Sequence, residues 1–205
     1  MDNQVSTQPK VRFSPEEYLE LERRAETKSE YLDGEIFPMP GVSREHSLIV
    51  NNIVTELCNQ VVDRPCEVHG PEMRVKIPAT GLYTYPDIAV VCGQPKFEDR
   101  HVDTFLNPQL IIEVLSDSTE SYDRGKKFAH YRSLDSLLEY VLVSQNECRV
   151  EQYIRQSDGK WLYSELSDPQ GSIELMSGVC RLSLSRIYHR IQFEQSIRPG
   201  GDAID

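Results

Sequence analysis

Two stretches of this chain carry apolar residues at a two-residue period with an acid set among them. In LIIEVL, residues 110–115, Leu110, Ile112 and Val114 share one face, and Ile111, Glu113 and Leu115 share the other. Both faces are apolar apart from Glu113, so the pattern predicts a strand buried on both sides. A carboxylate there costs several kcal/mol, or takes up a proton, unless a partner compensates. The run PDIAVVC repeats the pattern, with Asp87 opening it directly after Pro86. If the two strands pair, the carboxylates converge. Two converging anions favour a divalent cation, and carboxylate oxygens with water are what Mg²⁺ takes. The pattern alone reads equally well as an exposed strand-start aspartate and a glutamate paired with a basic residue.

The remaining pattern supplies the frame. Ser14-Pro15-Glu16-Glu17 predicts a helix to about Ala25, with Ser as N-cap and Pro at the first helical position. SEYLDGEIFPMPG predicts an Asp-Gly turn into a short strand bearing Glu35. Ser43 then caps a longer helix, because Ile49, Ile53, Val54, Leu57 and Val61 follow the helical period and His46 falls in its first turn. CEVHGPEMRVKI predicts two strands joined at Gly70-Pro71, TYPDIAVVC a third and PQLIIEVLS a fourth. A helix from about Asp123 to Arg132 precedes the strand LLEYVLVS. CRVEQYIR and KWLYSEL predict a hairpin across Ser157-Asp158-Gly159. SIELMSG and a short turn near Ser183–Tyr188 finish the domain. This order predicts an α/β, mixed α+β fold with helices covering a mixed sheet. Residues 1–10 and 196–205 read as disordered tails around one domain at 11–195.

Composition narrows the function. The chain has 205 residues and a net charge of −11, which argues against a protein that coats nucleic acid by bulk electrostatics. Its five cysteines have no C-x-x-C spacing, so reduced, mostly buried thiols are expected and a zinc ribbon is not. No stretch approaches a membrane span and the first residues lack a signal-peptide core. A cytoplasmic protein with no membrane partner is the expectation.

The residues after Glu113, EVLSDSTESYDRGKKFAHY, place Asp123, Lys127 and Tyr131 at four-residue steps on one helix face. Spacing alone favours a surface ion pair between Asp123 and Lys127. Taken together, PDIAVV, PQLIIEVLSDST, DRGKKFAHY and LLEYVLV resemble the Uma-two family of the PD-(D/E)xK nuclease superfamily, and the likeness extends from YLDGEIFPMPG to about Ile187. The resemblance implies a restriction-endonuclease-like core, a mixed central sheet flanked by helices, here with an added C-terminal hairpin. It implies a metal-dependent endonuclease that cleaves nucleic acid, DNA in the first place, and leaves 5′-phosphate ends. Asp87 and Glu113 would bind Mg²⁺ or Mn²⁺ with the main-chain carbonyl of Val114. The superfamily lysine normally stands two residues after the glutamate, where this chain has Leu115. Similar families move it to the next helix, where Lys127 stands, whereas Lys126 points about 100° away. Glu35 would be a further acid and His46 a group that binds metal or phosphate or moves a proton. Tyr131 is expected to pack, with its hydroxyl near Asp123. Glu72 and Arg74 read as exposed strand charges or as cleft lining. Asp117 departs from the proline common in relatives and adds negative charge. The competing implication is a weak or inactive nuclease fold that serves as a binding or regulatory module. Nucleases of this fold often pair, which makes a homodimer an expectation.

Overall fold

The computed structural model describes residues 11–193. The tails foreseen at 1–10 and 196–205 lie outside these residues. Helix α1 (Pro15–Glu22) starts on a capping box, in which the Ser14 hydroxyl accepts from the Glu17 N–H and the Glu17 carboxylate accepts from the Ser14 N–H. It stops short of the expected Ala25. Strands β1 (Ser29–Leu32) and β2 (Glu35–Pro38) form a tight hairpin. Asp33 and Gly34 both have positive φ, 50° and 84°, which a two-residue hairpin turn of this twist requires. Helix α2 (Arg44–Val61) is capped by the Ser43 hydroxyl, which accepts from the His46 N–H.

Strands β3 (Cys66–His69) and β4 (Arg74–Ile77) are separated at Gly70-Pro71 as expected, but they belong to different sheets. The run expected as one strand, TYPDIAVVC, is likewise divided. Strand β5 (Leu82–Thr84) and strand β6 (Ile88–Cys92) lie in different sheets. Pro86 lacks an N–H and interrupts the ladder between them, so the chain crosses from sheet to sheet at Tyr85-Pro86-Asp87. The two-residue strand β7 (Thr104–Phe105) precedes β8 (Leu110–Leu115). A helical segment follows as α3 (Glu120–Tyr122), a π-helical turn at Asp123–Lys127, and α4 (Phe128–Tyr131). Strands β9 (Glu139–Ser144), β10 (Val150–Arg155) and β11 (Trp161–Leu166) come next, then β12 (Ser172–Leu175), β13 (Cys180–Ser183) and α5 (Leu184–Ile187).

Three sheets result. The main one has the order β11-β10-β9-β8-β6-β3, a second has β2-β1-β5-β4-β7, and β12-β13 pair alone. The β8–β9 and β4–β7 pairs are parallel and the rest antiparallel, so the fold is a mixed α+β arrangement. The six side chains of β8 are all buried. Leu110, Ile112 and Val114 pack into a core shared with α2, α5 and the β12–β13 hairpin. Ile111 and Leu115 pack into a second core shared with β4, β5, β7 and α4. The two-sided burial expected of LIIEVL is therefore real, with Glu113 on the face of the second core. Helix α1 closes the far side through Tyr18, which stacks on Tyr31 at 5.0 Å.

The cysteines require a correction. Cys66 and Cys92 are disulfide-bonded rather than reduced, while Cys58, Cys148 and Cys180 are free and only Cys180 is buried. The two bonded residues are 26 positions apart, and the antiparallel pairing of β3 with β6 sets them opposite each other with a Cα–Cα distance of 4.0 Å. Spacing along the chain cannot reveal such a pair, because register creates it. Among the described residues, no helix is long and apolar enough to cross a membrane.

Candidate active site

The register of β6 and β8 builds the centre. Ile88 stands opposite Ile112, so one step further Asp87 comes opposite Glu113, and both face the second core. The Asp87 N–H points at Glu113 Oε2 at 3.3 Å. Asp87 Oδ2 accepts the Val114 N–H at 2.7 Å. A residue's N–H and C=O point to the same side of a strand, so the Val114 carbonyl also turns toward the Asp87 side. Asp87 Oδ1 accepts from His46 Nε2 at 2.9 Å, which carries the first turn of α2 to the same spot.

Glu113 is 3% exposed. Its Oε1 accepts from the Tyr131 hydroxyl at 2.8 Å and lies 2.9 Å from Lys127 Nζ. The hydroxyl expected near Asp123 therefore goes to Glu113, and the main-chain carbonyl of Asp123 is met by Tyr140 instead. Lys127 is buried, whereas Lys126 is exposed. The Lys127 ammonium is also 3.6 Å from Asp123 Oδ1 and 3.6 Å from Glu30 Oε1. Burial disfavours the charged form of Lys127, but Glu113, Glu30 and Asp123 outweigh it and hold the ammonium protonated. Burial also pushes the Glu113 carboxyl up; Lys127 pulls against that, and Asp87 and Asp123 push with it. Asp123 is raised by burial in the same way, with Lys127 opposing. Burial above all keeps the Tyr131 hydroxyl protonated and able to donate.

Sequence reasoning missed Glu30. Its neighbour Tyr31 faces the α1 cluster, so alternation turns Glu30 and Leu32 the other way, toward the second core. Glu30 Oε1 also accepts from Thr84 Oγ1. Glu35 stands opposite Leu32 across the hairpin and is not among the residues lining the cleft. Arg74 is not an exposed strand charge. It is buried, donates to Thr104 Oγ1 at 3.0 Å and to the Tyr85 hydroxyl at 2.8 Å, and pairs with Asp103 at 3.0 Å. Tyr85 in turn lines the cleft beside Asp87. Glu72 is exposed and paired with Lys28.

The added hairpin steadies the helix that carries Lys127. Phe128 stacks on Tyr140 at 4.9 Å and meets Trp161 of β11 edge-on at 5.2 Å. Arg124 reaches Glu151 of β10 at 2.6 Å. These contacts fix the outer side of the helical segment and leave Lys127 facing inward. The cleft above the centre holds about 320 Å³ and is lined by Asp87, Glu113, Val114, Asp123, Lys127 and His46 with the loops 39–43 and 116–119. Asp117 sits on its rim, where it accepts from Asn146.

Among the described residues, no three His, Cys, Asp or Glu side chains stand close enough to hold a metal ion by themselves. Mg²⁺ does not need three. It keeps several waters and takes one or two carboxylates. Asp87 and Glu113 line the same cleft from paired strands, the Val114 carbonyl turns toward the Asp87 side, and Asp87 and Asp123 add negative charge around Glu113, which fits that demand.

The model of the Uma-two family, described as "Putative restriction endonuclease", matches residues 15–185. The chain belongs to this family. An uncharacterized protein of Synechocystis sp. is 39% identical over 158 residues, which span 77% of this chain and 89% of that protein. A second from the same organism is 38% identical over 186 residues, 90% of this chain and 96% of its own length. The crystal structure of a protein described as a putative nuclease from Anabaena variabilis shares the fold with a TM-score of 0.69. It is 22% identical and covers 84% of this chain and 96% of that one. The Uma-two chain thus shares its fold with that crystal structure.

Proposed function

We propose that this Uma-two chain is a divalent-metal-dependent nuclease that hydrolyses phosphodiester bonds, with DNA as its first expected substrate. The observation that carries the reading is the single cluster formed by Asp87, Glu113 and Lys127, in which a buried lysine from the following helix stands 2.9 Å from a buried strand glutamate. Asp87, Glu113 and the Val114 carbonyl would hold Mg²⁺ or Mn²⁺. Bound there, the ion supplies Lewis acidity toward a phosphoryl oxygen.

The protein's own groups do the rest. Lys127 is held charged by its acids and serves as a fixed cation toward the negative charge that develops on phosphorus and as a donor that orients the attacking water. Glu113 and Asp123 set the position of that ammonium. His46 fixes Asp87 through Oδ1 and stands at the cleft wall, where it passes a proton toward the departing oxygen. Water oxygen bonds to phosphorus, the bond from phosphorus to the 3′ oxygen breaks, and the proton ends on that oxygen, giving a 5′-phosphate and a 3′-hydroxyl. Glu30 belongs to the same charge cluster; Glu35 is kept as an outlying acid on the neighbouring strand. One domain over 11–195 carries the whole arrangement.

Cleavage of plasmid and single-stranded DNA with Mg²⁺ or Mn²⁺ tests the proposal. Wild type should cut at least one of the two substrates; Asp87→Ala, Glu113→Ala and Lys127→Ala should lose at least about a hundredfold, in line with removal of a preorganised charge. Lys127→Arg should not restore activity, because a guanidinium is larger than the compact ammonium and spreads its charge over a planar fork. Lys126→Ala should cut like wild type. Equal cutting by wild type and both carboxylate variants would refute the assignment, and loss in Lys126→Ala with full activity in Lys127→Ala would refute the choice of lysine.

A further inference from the structure

The cleft over Asp87 and Glu113 does not end at the catalytic cluster. A second cavity of about 450 Å³ shares Met39, Pro40, Gly41, Val42, His46 and Asp87 with it and runs toward Lys28. A third of about 450 Å³ shares Ser43, Asp117 and Gln145 with it and ends at Phe193. Through these shared residues the three cavities are neighbours, with the cavity of the candidate centre between the other two, and they are taken together as one groove.

The chemistry along this groove differs from end to end. On the second cavity, Lys28 presents its ammonium among apolar surface from Val42, Val50 and Pro71. Lys28 Nζ donates to the Pro71 carbonyl at 2.8 Å and pairs with Glu72 at 2.7 Å, and Glu72 is 80% exposed. So exposed a partner holds the ammonium weakly and can yield to a phosphate. At the other end Gln145, Asn146, Gln192 and the half-buried Phe193 line one cavity; Gln145 accepts from Ser43, Asn146 donates to Asp117, and the Phe193 ring meets Tyr188 at 5.1 Å. Amides and an aromatic ring are the groups that read and stack unpaired bases.

The charge pattern excludes a broader substrate. Lys28 and Lys127 are the only Lys or Arg residues lining the three cavities among the described residues, and Lys127 is already matched by three acids. Arg44, next in sequence to Ser43 and Glu45 of the third cavity, does not line it. Glu26, Glu45, Glu72 and Asp117 line the walls as well. A duplex is gripped through many phosphates on two strands, and this groove has one available cation to offer.

We infer that the groove takes a single nucleic-acid strand, with Lys28 receiving the phosphate next to the scissile one on one side and Phe193 stacking a base on the other. This inference rests on the nuclease reading of the same cleft and assigns its substrate class.

The test is fluorescence anisotropy of the full chain in EDTA with three labelled 20-nucleotide probes: single-stranded DNA, single-stranded RNA of the same sequence, and duplex DNA. One of the single strands should bind at least about tenfold tighter than the duplex, and the two single-stranded arms decide between DNA and RNA. The plot of log affinity against log salt should have a slope near −0.7 to −1.5, the release expected from one or two phosphates on a single strand. Lys28→Gln and Phe193→Leu should each weaken single-strand binding about fivefold or more, in keeping with loss of a phosphate contact or a stacked base. Val42→Glu, at a position 63% exposed where the fold has little to lose, should weaken it as well. Duplex binding as tight as single-strand binding, a salt slope steeper than about −3, or wild-type binding by all three variants would overturn the inference. Metal-dependent cleavage together with a duplex preference would sink this inference alone. Single-strand binding without any metal-dependent cleavage would sink the nuclease reading alone.

Discussion

At the scale of single residues, the candidate site is a problem of buried charge. Glu30, Glu113 and Asp123 share one ammonium, and each loses water when the chain folds. Removing Lys127 leaves them uncompensated, which for a buried pair costs about 3–5 kcal/mol. A second residue-scale device supports the site from outside. Asp103 accepts from Arg23 at 2.7 Å and pairs with Arg74, which also donates to the Tyr85 hydroxyl at the cleft. Burial would raise the Asp103 carboxyl, but the hydrogen bond from Arg23 and the charge of Arg74 outweigh it and hold it well below the usual carboxylate range. In acid the unfolded chain therefore takes up a proton that the folded protein refuses. The stabilisation is complete above the ordinary carboxylate value and is lost as pH falls toward the depressed one. Urea-unfolding midpoints from pH 5 down to pH 2 should fall less steeply in Asp103→Asn than in wild type. Parallel curves would show that Asp103 is not tied in this way.

At the scale of elements, the helical segment after β8 decides which lysine serves. The four-residue steps from Asp123 to Lys127 to Tyr131 were legible because they fall on one face of a helix, and that face turns inward. The π-helical turn at Asp123–Lys127 was not legible, since nothing in DRGKK distinguishes it from an ordinary helix. Gly125 lies within that turn, and a Cβ added there meets no atom within 4 Å. Gly125→Ala should therefore raise stability by about 0.5–1 kcal/mol through lower backbone freedom and leave cleavage unchanged. Urea unfolding and the cleavage assay check the two halves of that statement. Glu30 escaped notice for a different reason. The hairpin presents Glu30 and Glu35 on the same face, and only the placement of the hairpin against β5, where Tyr31 pairs with Tyr83, decides which acid meets Lys127. Arg74 likewise looked like a strand charge because its partners Thr104 and Tyr85 come from 30 and 11 residues away.

At the scale of the whole molecule, sheet assignment and register carry what local pattern cannot. The period of LIIEVL and the acid within it identified β8 and the centre of the fold. The crossing of the chain between sheets at Tyr85-Pro86-Asp87, which brings Asp87 opposite Glu113, depends on long-range pairing. So does the Cys66–Cys92 disulfide. The loop it closes spans 26 residues and contains β4, β5 and Asp87, so the bond should stabilise the fold by about 3 kcal/mol. Reduction, or Cys66→Ser, should lower the melting temperature by roughly 6–12 °C for a chain of this length, as calorimetry with and without a dithiol will show. An unchanged melting temperature would mean that the pairing of β3 with β6 holds without the bond.

The central claim is that Asp87 and Glu113 together hold one divalent ion. Titration calorimetry with Mn²⁺ tests it without any assumption about substrate. Wild type should bind one ion per chain in the centre, and Asp87→Ala and Glu113→Ala, each shown to be folded by circular dichroism, should lose that binding. No Mn²⁺ uptake by the folded wild type, or undiminished uptake by both variants, would contradict the account.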